Sequence, residues 1–165
     1  MIALLHGFTY GLGIDLASAC DIRLCLDNTK FCVKEVDVGL AADVGTLSRL
    51  PKVVGGLTGW VKEVCFTARP FSAEEASKNN FVNKVVSGGK QELVKEGIKL
   101  ASHIASKSPV AVQGTKNILD ASWGRTVEDN LNYTATWNMA MLQSTDVQRA
   151  MTSSLQKRVP TFEKL

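Results

Sequence analysis

The chain has 165 residues, 45% of them hydrophobic and 21% charged, with a net charge of +3. This is the make-up of an ordinary globular domain with a real core, and scattered lysines at so low a net charge give no argument for nucleic-acid binding. No apolar run approaches the roughly 18 residues of a membrane span, and the opening Met1–Leu5 lacks the basic flank of a signal peptide.

Met1 to Leu5 reads as a short buried strand stopped by His6-Gly7. A glycine-rich turn follows, with Gly7, Gly11 and Gly13, and then a helix from Ile14 to Cys20. A strand, a glycine turn and a helix leave free backbone N–H groups at the helix N-terminus, a site suited to negative charge. Gly11-Leu12-Gly13 supplies G-x-G, but Leu16 stands where a dinucleotide fingerprint needs Gly or Ala. No G-x-S-x-G motif exists, so a serine hydrolase is not indicated.

Ile22–Leu26 and Lys30–Val33 read as strands on either side of an Asp27-Asn28 turn. The next stretch concentrates acids: Glu35, Asp37 and Asp43 stand among Val, Leu, Ala and Gly. Carboxylates in apolar company are costly to bury, and proton transfer is one reason to pay that cost. A solvated turn is the alternative. Thr46 to Val54 predicts a helix interrupted by Pro51. Leu57 to Thr67 has apolar residues at helical spacing, and Ser72 with Glu75 forms a capping-box pattern for a helix running to Asn79-Asn80. Lys84–Val86 reads as a strand. Gln91 to Ser106 is an amphipathic helix, and Ser108-Pro109 marks the start of another that runs to Ala121. Helices over Val127–Leu142 and Asp146–Gln156 complete the chain.

His6 and His103 are the two histidines, and His103 is expected to cap or flank a helix face. Cys20, Cys25, Cys32 and Cys65 form no C-x-x-C pair and have no histidine at a metal-like spacing, which points to free thiols rather than zinc. Trp60, Trp123 and Trp137 are expected as core or interface anchors.

The segments His6–Arg23 and Lys34–Gly55 together resemble the crotonase (enoyl-CoA hydratase/isomerase) superfamily. Asp15, Glu35 and Asp43, the last two within KEVDVGLAADVGTLSRLPKVVG, match the dienoyl-CoA isomerase branch in type and spacing. The resemblance implies an α/β fold, a crotonase-like spiral of β-β-α turns over residues 1–107. A helical region over 108–165 would build a trimer or hexamer, with Tyr133–Met139 as the best face. It implies an acyl-CoA substrate, no cofactor and no metal, and a shift of 3,5-dienoyl-CoA double bonds to the 2,4 position. In that scheme Glu35 serves C2, Asp43 serves C6, and Asp15 tunes both from beside them. The Leu12 N–H, within Gly11-Leu12-Gly13, is one donor to the thioester oxygen. Relatives often carry Gly at the Leu12 position, so a leucine is expected to restrict φ and crowd the site.

Hydration in the family uses glutamates at the positions of Asp15 and Glu35, and Asp15 is shorter by one methylene. An enoyl-CoA hydratase, or a non-catalytic homologue acting in assembly, are the alternatives. Asp37 has no implied role. The second thioester donor and most of the CoA site are expected upstream of Met1, as the first part of the family domain has no counterpart here. The ending Glu163-Lys164-Leu165 is similar to the peroxisomal S-K-L signal except at its first residue. The implied location is a peroxisome or a mitochondrion.

Overall fold

The computed structural model describes residues 1–163, so the Lys164-Leu165 part of the terminal tripeptide lies outside the described residues. The chain forms two compact units, Met1–Lys99 and the residues from Leu100 onward.

In the first unit, β1 (Ile2–Leu5) and β2 (Phe8–Tyr10) lead into α1 (Leu12–Ala19), and β3 (Ile22–Leu26) and β4 (Lys30–Cys32) repeat the strand pair. The repeat generates two sheets. β3 lies parallel to β1, with Ile2 opposite Ile22 and Leu5 opposite Cys25, and β6 (Lys84–Val86) extends that sheet on the other side of β3. β4 lies parallel to β2, and β5 (Phe71–Ser72) joins β4 antiparallel. β3 and β4 flank the turn at Asp27-Asn28 but belong to different sheets, so they are successive steps of a spiral rather than a hairpin. β2 arises inside the stretch read as a glycine turn. Three residues with one buried side chain, Thr9, are too short for alternation to reveal. β1 is half-buried rather than buried along its whole length.

A 3₁₀ turn (Glu35–Val38) follows β4, and then α2 (Thr46–Val53), α3 (Thr58–Thr67) and α4 (Ala73–Lys78). Pro51 lies within the last turn of α2 without interrupting it. The core of this unit gathers Ile14, Phe31, Leu50, Val64, Phe71 and Phe81. Phe31 stacks on Phe71 at 5.4 Å between ring centres, Phe81 meets Phe31 edge-on at 5.7 Å, and Trp60 meets Phe71 edge-on at 5.2 Å. Edge and offset contacts of this kind add to plain apolar burial. Ser72 caps α4, its Oγ accepting from the Glu75 N–H at 3.1 Å. Glu75 leaves the capping box half-formed. Its carboxylate turns instead to the Trp60 indole N–H at 2.9 Å and the Arg69 guanidinium at 2.6 Å.

Arg23 is buried and donates to the carbonyls of Phe81, Cys20 and Ala17 at 2.6, 2.5 and 3.2 Å. It thereby closes the C-terminal end of α1, where a cation and spare donors are both favoured.

α5 (Lys90–Ala105) begins in the first unit and crosses into the second, which continues with α6 (Pro109–Ser122), α7 (Val127–Met141) and α8 (Thr145–Leu155). Ser108 caps α6 by accepting from the Ala111 N–H at 3.1 Å. α6 and α7 pack closely at Gly114, where an added Cβ would lie 2.5 Å from the Trp137 indole nitrogen. Asn117 Nδ2 donates to the Tyr133 hydroxyl at 2.6 Å. Trp60 is packed against the core and Trp137 is half-buried, whereas Trp123 is 54% exposed and anchors no core.

Candidate active site

The site starts at the step from β2 to α1. Gly11 takes φ 50°, ψ −116°, a conformation costly for a residue with a side chain. Its N–H donates to the Cys32 carbonyl at 3.0 Å, which ties the start of α1 to the end of β4. Glu35 opens the 3₁₀ turn just beyond that point. A Cβ on Gly11 would come within 3.2 Å of Glu35 Oε1, so the missing side chain leaves room for this carboxylate. Glu35 is half-buried, and its Oε2 is buried with no hydrogen-bond partner among the described residues. Such an orphaned acceptor calls for an explanation, since buried polar groups are nearly always satisfied.

Leu12 and Gly13 are the first two residues of α1, so their N–H groups have no acceptor inside the helix. Leu12 is not strained at φ as expected. It is a helical residue that needs no positive φ, and its side chain is 57% exposed.

One helical turn on, Asp15 is 2% exposed. Its Oδ1 accepts from the Thr46 N–H at 2.6 Å. That N–H opens α2, whose own N-cap, Gly45, has no side chain to offer. Asp15 therefore caps α2 from another element, and the negative charge lies at the favourable end of the helix. Arg49, on α2, extends back across the same junction. Its Nη2 donates to the Val44 carbonyl at 3.0 Å and to the Asp15 carbonyl at 3.3 Å, and its Nε donates to Ser18 Oγ at 3.3 Å. Gly45 sits at φ 128°, and a methyl group there would fall on the Arg49 guanidinium.

Asp43 stands three residues before Thr46, on irregular chain, and is exposed. Asp37 is also exposed and pairs with Lys34. The idea that Glu35, Asp37 and Asp43 share an apolar burial is therefore corrected. Val36, Val38, Leu40 and Val44 around them are themselves exposed, at 42, 69, 45 and 55%, and desolvate nothing. Burial belongs to Asp15 and, in part, to Glu35. The structure thus brings Glu35 to Gly11 and seats the start of α2, just after Asp43, on Asp15.

Sequence reasoning overlooked Arg49 and Thr46. The available signal was Arg49 four residues after Gly45, one turn along the same face.

The thiols near Glu35 are held toward the protonated form. Burial pushes the Cys65 thiol up and the Glu35 charge adds to it; burial likewise raises Cys32, which donates to the Ala68 carbonyl at 2.9 Å. Burial pushes Cys25 up to about 11. Thiols held protonated are poor nucleophiles and poor metal ligands. Among the described residues no three His, Cys, Asp or Glu side chains are grouped to share a metal ion, and no helix is long and apolar enough to cross a membrane.

The chain is similar to known proteins along its length. A family model described as enoyl-CoA hydratase/isomerase matches residues 1–164. The mitochondrial Delta(3,5)-Delta(2,4)-dienoyl-CoA isomerase of Rattus norvegicus is 48% identical over 168 aligned residues, covering 100% of this chain and 51% of that protein. The peroxisomal Delta(3,5)-Delta(2,4)-dienoyl-CoA isomerase of Arabidopsis thaliana is 46% identical over 100% of this chain and 58% of its own length. Among solved structures, the enoyl-CoA hydratase EchA1 of Mycobacterium marinum superposes with a TM-score of 0.91 at 28% identity, over 98% of this chain and 65% of that one. The chain spans about half the length of the curated relatives it matches.

Proposed function

The chain belongs to the enoyl-CoA hydratase/isomerase family, and from that premise we propose that it carries the proton-transfer residues of a 3,5- to 2,4-dienoyl-CoA isomerase. The observation that carries this reading is the Glu35 carboxylate, with Oε2 buried and unpartnered, beside the glycine turn that opens α1. An acceptor left unsatisfied there is ready to take a proton from a thioester held at the helix N-terminus.

In this mechanism the thioester oxygen accepts from the Leu12 N–H, which stabilises the charge that develops when the C2–H bond breaks. Glu35 takes the C2 proton. The electron pair runs through the conjugated system to C6, where a C–H bond forms with a proton from the Asp43 carboxyl. Glu35 then returns its proton to solvent and Asp43 regains one, so the net change is only the position of the double bonds. Asp15 adds its charge beside them.

A hydratase is the weaker reading. It needs a carboxylate at position 15 to hold a water, and Asp15 is one methylene short and already spends Oδ1 on the Thr46 N–H. A non-catalytic assembly subunit would leave the Glu35 orphan unexplained. The proposal includes an acyl-CoA substrate, residence in a mitochondrion or peroxisome as in the named relatives, and self-association into trimers or pairs of trimers through the helices of residues 108–165.

The test is Asp43→Asn and Glu35→Gln in the longest natural form carrying these residues. Formation of 2,4-dienoyl-CoA is followed by its absorbance. A general acid or base contributes about 10²–10⁴-fold, so each variant should lose turnover by that order while still binding acyl-CoA. Near wild-type turnover in Asp43→Asn would overturn the assignment.

A further inference from the structure

We propose that Arg49 is a positioning residue that holds the Asp43 segment in register with α1. The inference rests on the isomerase reading and adds to it a residue that touches neither acid's carboxylate.

The argument begins with how little else holds Asp43. The chain from Gly39 to Val44 has no regular structure, and Leu40, Ala41, Asp43 and Val44 are all exposed. Ala42 alone is buried there. Side chains without packing adopt many positions, yet a proton must be delivered to one carbon. The segment needs a second anchor close to Asp43, and Val44 is the next residue. The Val44 carbonyl accepts from Arg49 Nη2 at 3.0 Å.

The same guanidinium also grips α1 at two points, the Asp15 carbonyl at 3.3 Å and Ser18 Oγ at 3.3 Å. One planar group thus spans the segment that carries Asp43 and the helix that begins at the Gly11 turn beside Glu35. The fork of donors suits this task. Lysine offers a single point charge that cannot reach three acceptors in fixed directions. Gly45 is shaped to the arrangement, because a methyl group there would occupy the guanidinium's place. The Asp15–Thr46 hydrogen bond fixes the start of α2 but makes no contact with the chain before it. Arg49 fixes the residue adjacent to Asp43.

The consequence is selective. Without Arg49, Glu35 keeps its seat by the Gly11–Cys32 tie, so C2 chemistry persists, while delivery of a proton to C6 suffers. Misplacing a reacting group by about 1 Å can cost about 10²-fold.

Arg49→Ala and Arg49→Lys are compared with wild type, Asp43→Asn and the Arg49→Ala/Asp43→Asn double variant, all in the longest natural form. Three quantities are read: 2,4-dienoyl-CoA formation, solvent deuterium entering C2 of 3,5-dienoyl-CoA, and the thermal midpoint. Arg49→Ala should lower kcat for isomerisation by about 10²-fold with KM and C2 exchange kept. Arg49→Lys should show a smaller loss of the same selective kind. The double variant should be no slower than Asp43→Asn, because both changes disable one step. Parallel loss of C2 exchange and isomerisation, multiplied losses in the double variant, or unchanged isomerisation overturns the proposal. If Arg49→Ala does not fold, Arg49→Lys decides by the same criteria. A wild-type protein that does not isomerise the substrate refutes the isomerase reading instead, which separates the two failures.

Discussion

Residues 1–99 and the helices from Leu100 onward treat apolar side chains in opposite ways. The first unit encloses them: Ile14, Phe31, Leu50, Val54, Val64 and Phe81 are all essentially inaccessible. In the second unit, the described buried residues are Gly114 and Asp146, and α7 buries none. Leu119, Leu131, Met139 and Leu142 remain 59–71% exposed. The first unit draws its stability from a closed core assembled by two sheets and the helices between them. The second is held by narrower devices: a small-residue contact at Gly114, a buried carboxylate, and Arg125 lying 4.2 Å over the Tyr133 ring. Exposed apolar area on this scale is what association would cover, which is why self-association belongs to the proposed function.

The sharpest way to break the comparison is to remove core volume. Phe31→Ala opens a cavity among Phe71 and Phe81 and should destabilise residues 1–99 by about 3–5 kcal/mol. Denaturant unfolding measures this, and a loss under about 1 kcal/mol would mean that the core is less closed than described.

A second, smaller effect should be confined to the C-terminal helices. Ser108 Oγ caps α6 and also donates to Asp146 Oδ2 at 2.6 Å. Ser108→Ala removes the cap and leaves Asp146 short of a donor, at a cost of about 1–2 kcal/mol. Hydrogen exchange should show faster amide exchange in α6 and α8 and unchanged protection in β3 and β4. Equal loosening of both regions would contradict the division.

The smallest effect is a pH dependence in the first unit. Hydrogen bonds from the Arg69 guanidinium hold the Glu75 carboxyl below the usual carboxylate range. A depressed folded-state value means that Glu75 contributes stability above its unfolded value and loses it as pH falls toward the folded one. Wild type should therefore lose stability relative to Glu75→Gln as pH drops from about 5 to about 3. Parallel curves for the two proteins over that window would remove Glu75 from the account.

Much of this molecule was legible locally. Ser72 and Ser108-Pro109 announced two helix starts, because a cap is a hydrogen bond to a donor only three residues away. The long amphipathic helices and the strands at Ile2–Leu5, Ile22–Leu26 and Lys84–Val86 followed from periodicity and apolar runs, which record burial along one element. Asp15, Glu35 and Asp43 were picked out by their resemblance to a known family, whose acids they match in type and spacing. What lay beyond the sequence depended on residues far apart in the chain. β2 and β5 are three- and two-residue strands whose existence rests on pairing with β4. The exposure of Asp43 and burial of Asp15 were set by which apolar neighbours the fold itself covers. The Asp15 carboxylate became the cap of a helix 31 residues away, and Arg49 bridged 34 residues to the backbone carbonyl of the same residue. Propensity and pattern act over one or two turns, whereas a hydrogen bond between distant elements has no local signature, so only the tertiary structure could decide where these side chains are held.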